Sequence, residues 1–447
     1  MTSNILLDLS HFLNETNLFK LIFPLIDEYL RYIFKTNEEL KNAVSIWLED
    51  EDKALKKYGH ISFWNTKFIT EMNCLFKNAE SFNEILYWDT KNVTNMSCMF
   101  MDASSFNQPL NFDTKNVYNM SFMFSGAESF NKPFNFTSTK NVTDMSRMFS
   151  GAKLYNQPLN FDTKNVTNMN SMFAGALSFN KPFNFTSTKN VTNMSSMFSG
   201  AKLYNQPLNF TTTRKVVNMF FMFSRAESFN QPLNFNTKKV KSMAGMFQCA
   251  KLFNQPLNFN TKNVIRMDSM FYSAKSFNQP LNFDTINVRF MNSMFLQASI
   301  FNQPINFTNT INVNQMENMF NEAKLFNQPL NWDTRNVNLM KGTFHFAYSF
   351  NQPLEWNTNK VTDISNMFCN AISFNQPLDF DLTNARTIRC MFYSAKKFNQ
   401  PLNFKNMGKF INQKKIFFNC PISNEHVKNL NLPYVYENYN YDYTGDY

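Results

Sequence analysis

The chain has 447 residues, of which 43 are Lys or Arg and 33 are Asp or Glu, so its formal net charge is +10. It has no run of about 18 apolar residues, which argues against a helix that crosses a membrane. Four histidines, no spaced metal cluster and no phosphate-binding glycine loop make an enzyme the least supported class, and we expect no cofactor or metal.

Residues 1–59 precede the repeats and predict an N-terminal helical cap. Two short amphipathic helices are expected over residues 5–13 and 17–23, and a third over residues 38–57 is expected to seal the first coil. Residues 1–36 also resemble a short F-box, with a leucine-rich helix, a polar turn and a second apolar helix. The segment is therefore either a cap or a module that binds the linker subunit of a ubiquitin ligase.

An aromatic residue followed by Asn then recurs fourteen times, from Phe82-Asn83 to Phe398-Asn399, at intervals of 24 or 25 residues. Units of this length are too small to bury their own apolar face and must stack on their neighbours. The period predicts an α/β repeat solenoid over residues 60–404, built from short parallel strands and short helices.

Each unit contains two patterned halves. In Val-x-x-Met-x-x-Met-Phe-x-x-Ala the apolar spacing predicts a short helix whose Met and Phe columns form the core. In Pro-Leu-Asn-Phe the alternation predicts a very short strand or an extended turn, because Pro cannot donate to a ladder. The Asn after the aromatic residue is expected to satisfy backbone groups at the corner of the coil.

The outward positions of the predicted strands are the candidate contacts for a partner. Most of them are Asn, as at Asn258 and Asn331, but Glu355 and Asp379 replace Asn in two consecutive late units. A uniform ladder offers little specificity, so these two departures are the better candidates.

The remaining charges, cysteines and C-terminal residues suggest no further site. Many Lys residues occupy the Thr-Lys-Asn turns, where a solvated turn is a better explanation than nucleic-acid binding. The six cysteines are expected to be free thiols. Residues 405–433 are predicted to form a C-terminal cap, and the Tyr-rich residues 434–447 a flexible tail.

The run from Trp88 to Phe100, WDTKNVTNMSCMF, and the Phe-Asn-Gln-Pro-Leu that follows it resemble the BspA-like leucine-rich-repeat family. The similarity is to the branch with Trp-Asp-Thr-Ser-x-Val-Thr-x-Met-x-x-Met-Phe repeats, found in bacterial surface lipoproteins, protists and large DNA viruses. The resemblance implies a leucine-rich-repeat-like solenoid, a role in attachment or protein binding, and no catalytic residues.

The leading hypothesis is a non-catalytic scaffold for protein–protein interaction. The acidic, Lys-free stretch of residues 1–13 is unlike a signal peptide, so we expect a location inside the cell, in the cytoplasm, a host cytoplasm or a virion. One alternative is a structural or attachment protein on a particle or cell surface. Another is a substrate adaptor of a ubiquitin ligase that acts through residues 1–36.

Overall fold

The computed structural model describes residues 31–182, 185–210, 212–406, 412–428 and 430. The chain divides into two compact units, Met1–Val191 and Thr192–Tyr447. In each unit the described residues form a stack of coils of 24 or 25 residues, so each unit is a repeat solenoid. A single solenoid over residues 60–404 stays a prediction. The helices predicted within residues 5–23, most of the F-box-like segment and the tail 434–447 lie outside the described residues.

The first unit opens with two helices, α1 (Asn37–Glu49) and α2 (Glu51–Tyr58), where one helix was predicted over residues 38–57. The Thr36 hydroxyl caps α1 by accepting the Glu39 N–H at 3.1 Å. Asp50 divides the two helices because its carboxylate accepts the Lys53 N–H at 3.0 Å and so caps α2.

An aromatic cluster joins these helices to the first coil. The Trp64 ring lies 6.0 Å from Trp47 of α1 and 5.8 Å from Tyr58 of α2, between ring centroids. On its other side Trp64 stacks on Trp88 at 6.2 Å, and the Trp88 indole N–H donates to the Ile61 carbonyl at 2.8 Å. The aromatic core of the coils therefore continues into the helical segment.

The helix predicted in the second half of each coil does not form in the described coils. In the coil that begins at Phe253, alternate backbone N–H groups point to the next coil: Met267 donates to Phe290 O at 3.0 Å and Phe271 to Met294 O at 2.9 Å. The N–H groups between them close four-residue turns, as the Met270 N–H does by donating to Met267 O at 3.2 Å. Half of the donors thus bond between coils.

The backbone angles explain why the apolar spacing was misleading. Ser269 and Ser273 both have φ of 55°, in the left-handed region that interrupts a right-handed helix. These two columns have positive φ in coil after coil, and four coils of the repeat place Gly in the second column, as at Gly151 with φ of 73°. The turns still direct Met and Phe inward, so the predicted core is correct although the predicted element is not.

The Pro-Leu-Asn-Phe segment has the predicted alternation. Leu257 and Phe259 are each 6% exposed, whereas Pro256 and Asn258 are exposed. Parallel pairing in the described coils consists of isolated bridges, mostly at the residue before the first Met, as in Arg266 with Phe290. The segment is thus an extended turn, which is the outcome expected where Pro recurs.

Stacked Phe rings form the core of each unit, as predicted. The Phe column that follows the second Met column has no exposed surface at any of its fourteen positions, and the Met columns are buried with it. Phe247 lies 5.8 Å from Phe223, 5.7 Å from Phe271 and 4.0 Å from Phe253 at the start of the next coil, measured between ring centroids. These offset stacks are the favoured geometry for aromatic pairs.

The ladder of the second unit continues past residue 404. Phe392 N–H donates to Ile416 O at 2.9 Å, and the Phe392 ring stacks on Phe417 at 5.6 Å. A one-turn helix, α3 (Asn424–Val427), follows, and Leu402 N–H donates to His426 O at 3.2 Å.

Candidate interaction surfaces

The Asn that follows the aromatic residue is a structural residue, as predicted. The Asn254 side-chain oxygen accepts the backbone N–H of Asn278 in the next coil at 2.9 Å and the Gln279 side-chain N–H at 3.2 Å. The same bond recurs in both units and reaches Ser423 N–H, which donates to Asn399 at 2.9 Å. Buried or half-buried backbone donors need such a partner.

Two further side-chain ladders hold the Thr-Lys-Asn turn, and sequence reasoning missed both. The Thr261 hydroxyl donates to Asp284 O of the next coil at 2.9 Å. The Asn263 side chain donates to Lys238 O of the previous coil at 2.8 Å. These bonds leave the residue between them, Lys262, exposed. The repeated Thr and Asn, read only as turn formers, were the available signal.

We define the Pro–Asn face as the exposed Pro and Asn columns of the Pro-Leu-Asn-Phe segments. All four candidate contacts lie on this face in the second unit and are exposed: Asn258, Asn331, Glu355 and Asp379. The last three stand on three successive coils, whereas Asn258 is three coils earlier than Asn331. The structure therefore groups both acidic departures with Asn331.

The Asn column of this face is itself ordered by hydrogen bonds along the stack. The Asn306 side chain donates to the Asn282 side-chain oxygen at 2.9 Å. Asp379 instead forms an ion pair with Lys405, whose ammonium lies 2.9 Å from the carboxylate. More than half of each of these two charged side chains is exposed, so the ion pair contributes little to stability. Glu355 and Asp379 thus place charged carboxylates in a column that otherwise carries the neutral amides of Asn.

A depression of about 330 Å³ opens in the first unit, where 25-residue coils flank a coil of 24 residues. Its lining includes Phe134, Phe136, Phe161 and Asp162. The Asp162 carboxylate accepts the Thr186 hydroxyl at 2.7 Å, and this bond lowers the pKa of Asp162. The Asp162 carboxylate is therefore used to hold the turn of the neighbouring 25-residue coil.

The reactive side chains of the described residues are dispersed. No three His, Cys, Asp or Glu side chains in this part of the chain are grouped so as to hold a metal ion. All six cysteines are free thiols, and burial raises the pKa of Cys369 to about 12. A protonated thiol is a poor nucleophile. Among the residues with assigned structure, no helix is both long and apolar enough to cross a membrane.

Two solved structures with detectable similarity are the complex of TLR13 with ssRNA13 and the Drosophila Toll–Spätzle complex. The first shares 11% identity over 80% of this chain and 65% of that chain, with a TM-score of 0.24. The second shares 9% identity over 79% and 56% of the two chains, with a TM-score of 0.25. The chain spans less than two thirds of either length, and TM-scores this low support no inference. No curated protein matches the sequence.

A protein-family model matches the chain in four tandem segments, residues 30–160, 134–234, 233–331 and 330–430. Together these segments include α1 and α2, the coils of both units and α3. The model matches well over half of the chain. The protein therefore belongs to the family described as Mycoplasma protein of unknown function, DUF285.

Proposed function

We propose that this protein is a non-catalytic repeat scaffold that binds a partner protein through the Pro–Asn face of its second unit. The observation that carries the proposal is the exposed acidic pair Glu355 and Asp379, on successive coils of an otherwise uniform column. The repeat motif at residues 88–100 supports placing the chain in the BspA-like branch. Free thiols in all six cysteines support a reducing compartment inside the cell.

Only some side chains on the surface of the second unit remain available to a partner. The corner Asn residues and the turn Thr residues already bond to backbone groups, so their side chains are occupied within the fold. Glu355 lies in the outward column, and its side chain is not used in this way to bond backbone groups. Its neighbours Leu354 and Trp356 are buried and hold the backbone in place. A rigid backbone that presents exposed charges favours recognition by complementary charges on a partner.

The test is a comparative pull-down with the tagged full-length chain and quantitative mass spectrometry. The double variant Glu355→Lys/Asp379→Lys is expected to reduce the capture of at least one protein tenfold or more. A matched variant, Asp52→Lys/Glu80→Lys, makes the same change in net charge at exposed positions of the first unit and is expected to capture that protein normally. Equal thermal melting of the three proteins shows that the fold is intact.

An unchanged set of captured proteins in the Glu355→Lys/Asp379→Lys variant would reject the Pro–Asn face as the binding surface. Equal loss in both double variants would show a response to net charge alone, which also rejects the proposal.

A further inference from the structure

The second unit carries a concentration of cations beside its Thr-x-x-Val turns. We define the basic edge as these cations on four successive coils, all of which are exposed: Arg214, Lys215, Lys238, Lys239, Lys241, Lys262, Arg266 and Arg289. The stretches 211–216, 236–241 and 260–266 that supply seven of them contain no Asp or Glu. The basic edge is therefore a local field of positive charge.

The cations replace residues that elsewhere stabilise the stack. Asn263 donates to a carbonyl of the previous coil, as described above, and Lys215 and Lys239 stand at the equivalent position in the two preceding coils. A second ladder position is changed as well. Thr362 donates its hydroxyl to Asn338 O at 3.1 Å, and the equivalent residues in the basic edge include Lys241.

The column after Val has an unusual alternation in this region. It consists of Val217, Lys241, Ile265 and Arg289. Each of the last three donates its backbone N–H to the carbonyl oxygen of the residue before it in this column, at 2.9, 2.8 and 3.0 Å. Val217 is 37% exposed and Ile265 is 36% exposed. Apolar and cationic side chains therefore alternate on successive coils along one line of the surface.

Among these cations, Arg266 has a described acidic partner. Arg266 forms a two-pronged ion pair with Asp268 at 2.9 and 3.1 Å and lies 5.2 Å from the Phe290 ring centroid. The Lys side chains at positions 238, 239 and 241 project from a single turn, where like charges repel one another. An anionic partner would remove that repulsion.

We propose that the basic edge binds an extended acidic segment of a protein, in which apolar residues are interspersed with Asp or Glu. The aliphatic side chains of Val217 and Ile265 would pack against the apolar residues and the Lys and Arg side chains would pair with the carboxylates. Single-stranded nucleic acids instead need exposed aromatic platforms on which bases stack. Here Phe220, Phe221 and Phe290 are half-buried.

The spacing is compatible with an extended chain that runs along the stack. Successive coils paired by parallel bridges are about 4.8 Å apart, so cations of the alternating column recur at about 10 Å. Three residues of an extended peptide cover roughly the same distance. An acidic residue at every third position would therefore meet one cation after another. This site is separate from the Pro–Asn face, so either proposal can fail without the other.

The experiment measures binding of a fluorescein-labelled peptide, (Glu-Leu-Ser)₅, to the full-length chain by fluorescence anisotropy. The variant Lys215→Asn/Lys239→Asn/Lys241→Thr introduces Asn, which most other coils have at the first two positions, and Thr, the commonest residue in the column after Val, so it should keep the fold. It is expected to raise the Kd at least tenfold. A control variant, Lys115→Asn/Lys140→Asn/Lys164→Asn, removes the same charge from the first unit and is expected to change the Kd less than twofold.

Two further probes complete the design. The uncharged peptide (Gln-Leu-Ser)₅ should bind at least tenfold more weakly than the acidic one, and added salt should weaken the acidic peptide. Equal effects of the two triple variants, or no binding of the acidic peptide, would overturn the proposal. Tighter binding of a 15-nucleotide oligothymidylate that responds to the same substitutions would assign the basic edge to nucleic acid instead.

Discussion

The side-chain oxygen of Asn254 accepts the backbone N–H of Asn278 at 2.9 Å, across the boundary between two coils. Asn254→Ala removes this acceptor and leaves a half-buried donor unpaired, so we expect a loss of about 1–3 kcal/mol in the free energy of unfolding. Asn258→Ala changes an exposed Asn of the same coil and should cost less than about 0.5 kcal/mol. Urea denaturation of both variants measures the difference, and equal midpoints would contradict a structural role for the corner Asn.

Phe247→Ala should be among the most destabilising single substitutions in the chain. The ring contacts Phe rings on both neighbouring coils, and its removal leaves a cavity, so we expect a loss of roughly 3–5 kcal/mol. Leu252→Ala is the matched control because Leu252 is 55% exposed in the same coil. Thermal unfolding followed by circular dichroism tests the pair. Wild-type stability in Phe247→Ala would mean that the buried face is misassigned.

Tyr155→Phe should stabilise the first unit. The Tyr155 side chain has no exposed surface, and its hydroxyl has no hydrogen-bond partner among the described residues. Phe130 and Phe179 occupy the equivalent positions of the adjacent coils, so a Phe ring without the hydroxyl fits the stack. Removing an unsatisfied buried hydroxyl should contribute about 1–2 kcal/mol. Tyr118→Phe, at an exposed site, should leave the melting temperature unchanged, and a lower melting temperature in Tyr155→Phe would disprove the argument.

The burial of Tyr155 has a spectroscopic consequence in the wild-type protein. Loss of solvation raises the pKa of its phenol well above the ordinary value of 10. In an alkaline titration followed at the phenolate absorbance band, this residue should ionise only when the fold is lost. Tyr155→Phe should therefore reduce the amplitude of the step that accompanies unfolding, and an unchanged amplitude would contradict the assignment.

His345 should make stability depend on pH in the mildly acidic range. Burial lowers the pKa of this imidazole from 6.5 to about 4, against the opposing effect of Glu322. Between these values the unfolded chain binds a proton that the folded chain does not, so stability decreases as the pH falls from about 6.5 to 4. His345→Gln should therefore lose less thermal stability than the wild type between pH 7 and pH 4.5. Parallel losses in the two proteins would show that His345 does not contribute.

The sequence was sufficient to predict which side chains are buried, because a column that recurs in every repeat can be recognised even where single residues differ. Fourteen copies assign Phe, Met, Leu and Ala columns to the interior and the Asn column to the corner, and burial agrees at Phe247, Leu257 and Asn254. The predictions for residues 1–30 and the assignment of Glu355 and Asp379 to partner contact stay predictions. They depend on a partner or on segments that the repeat does not constrain.

The backbone path was decided only by tertiary structure. The spacing of Val264, Met267 and Met270 predicts a helix in isolation, but a helix uses its donors within the segment. In the stack the Met267 N–H bonds to Phe290 O of the next coil, and Ser269 adopts φ of 55° to allow it. The basic edge has the same origin, because Lys215 becomes a neighbour of Lys239 and Lys241 only when coils stack. A repeated sequence thus determines which side chains are buried, whereas the competition between local and inter-coil hydrogen bonds determines the shape of the chain that buries them.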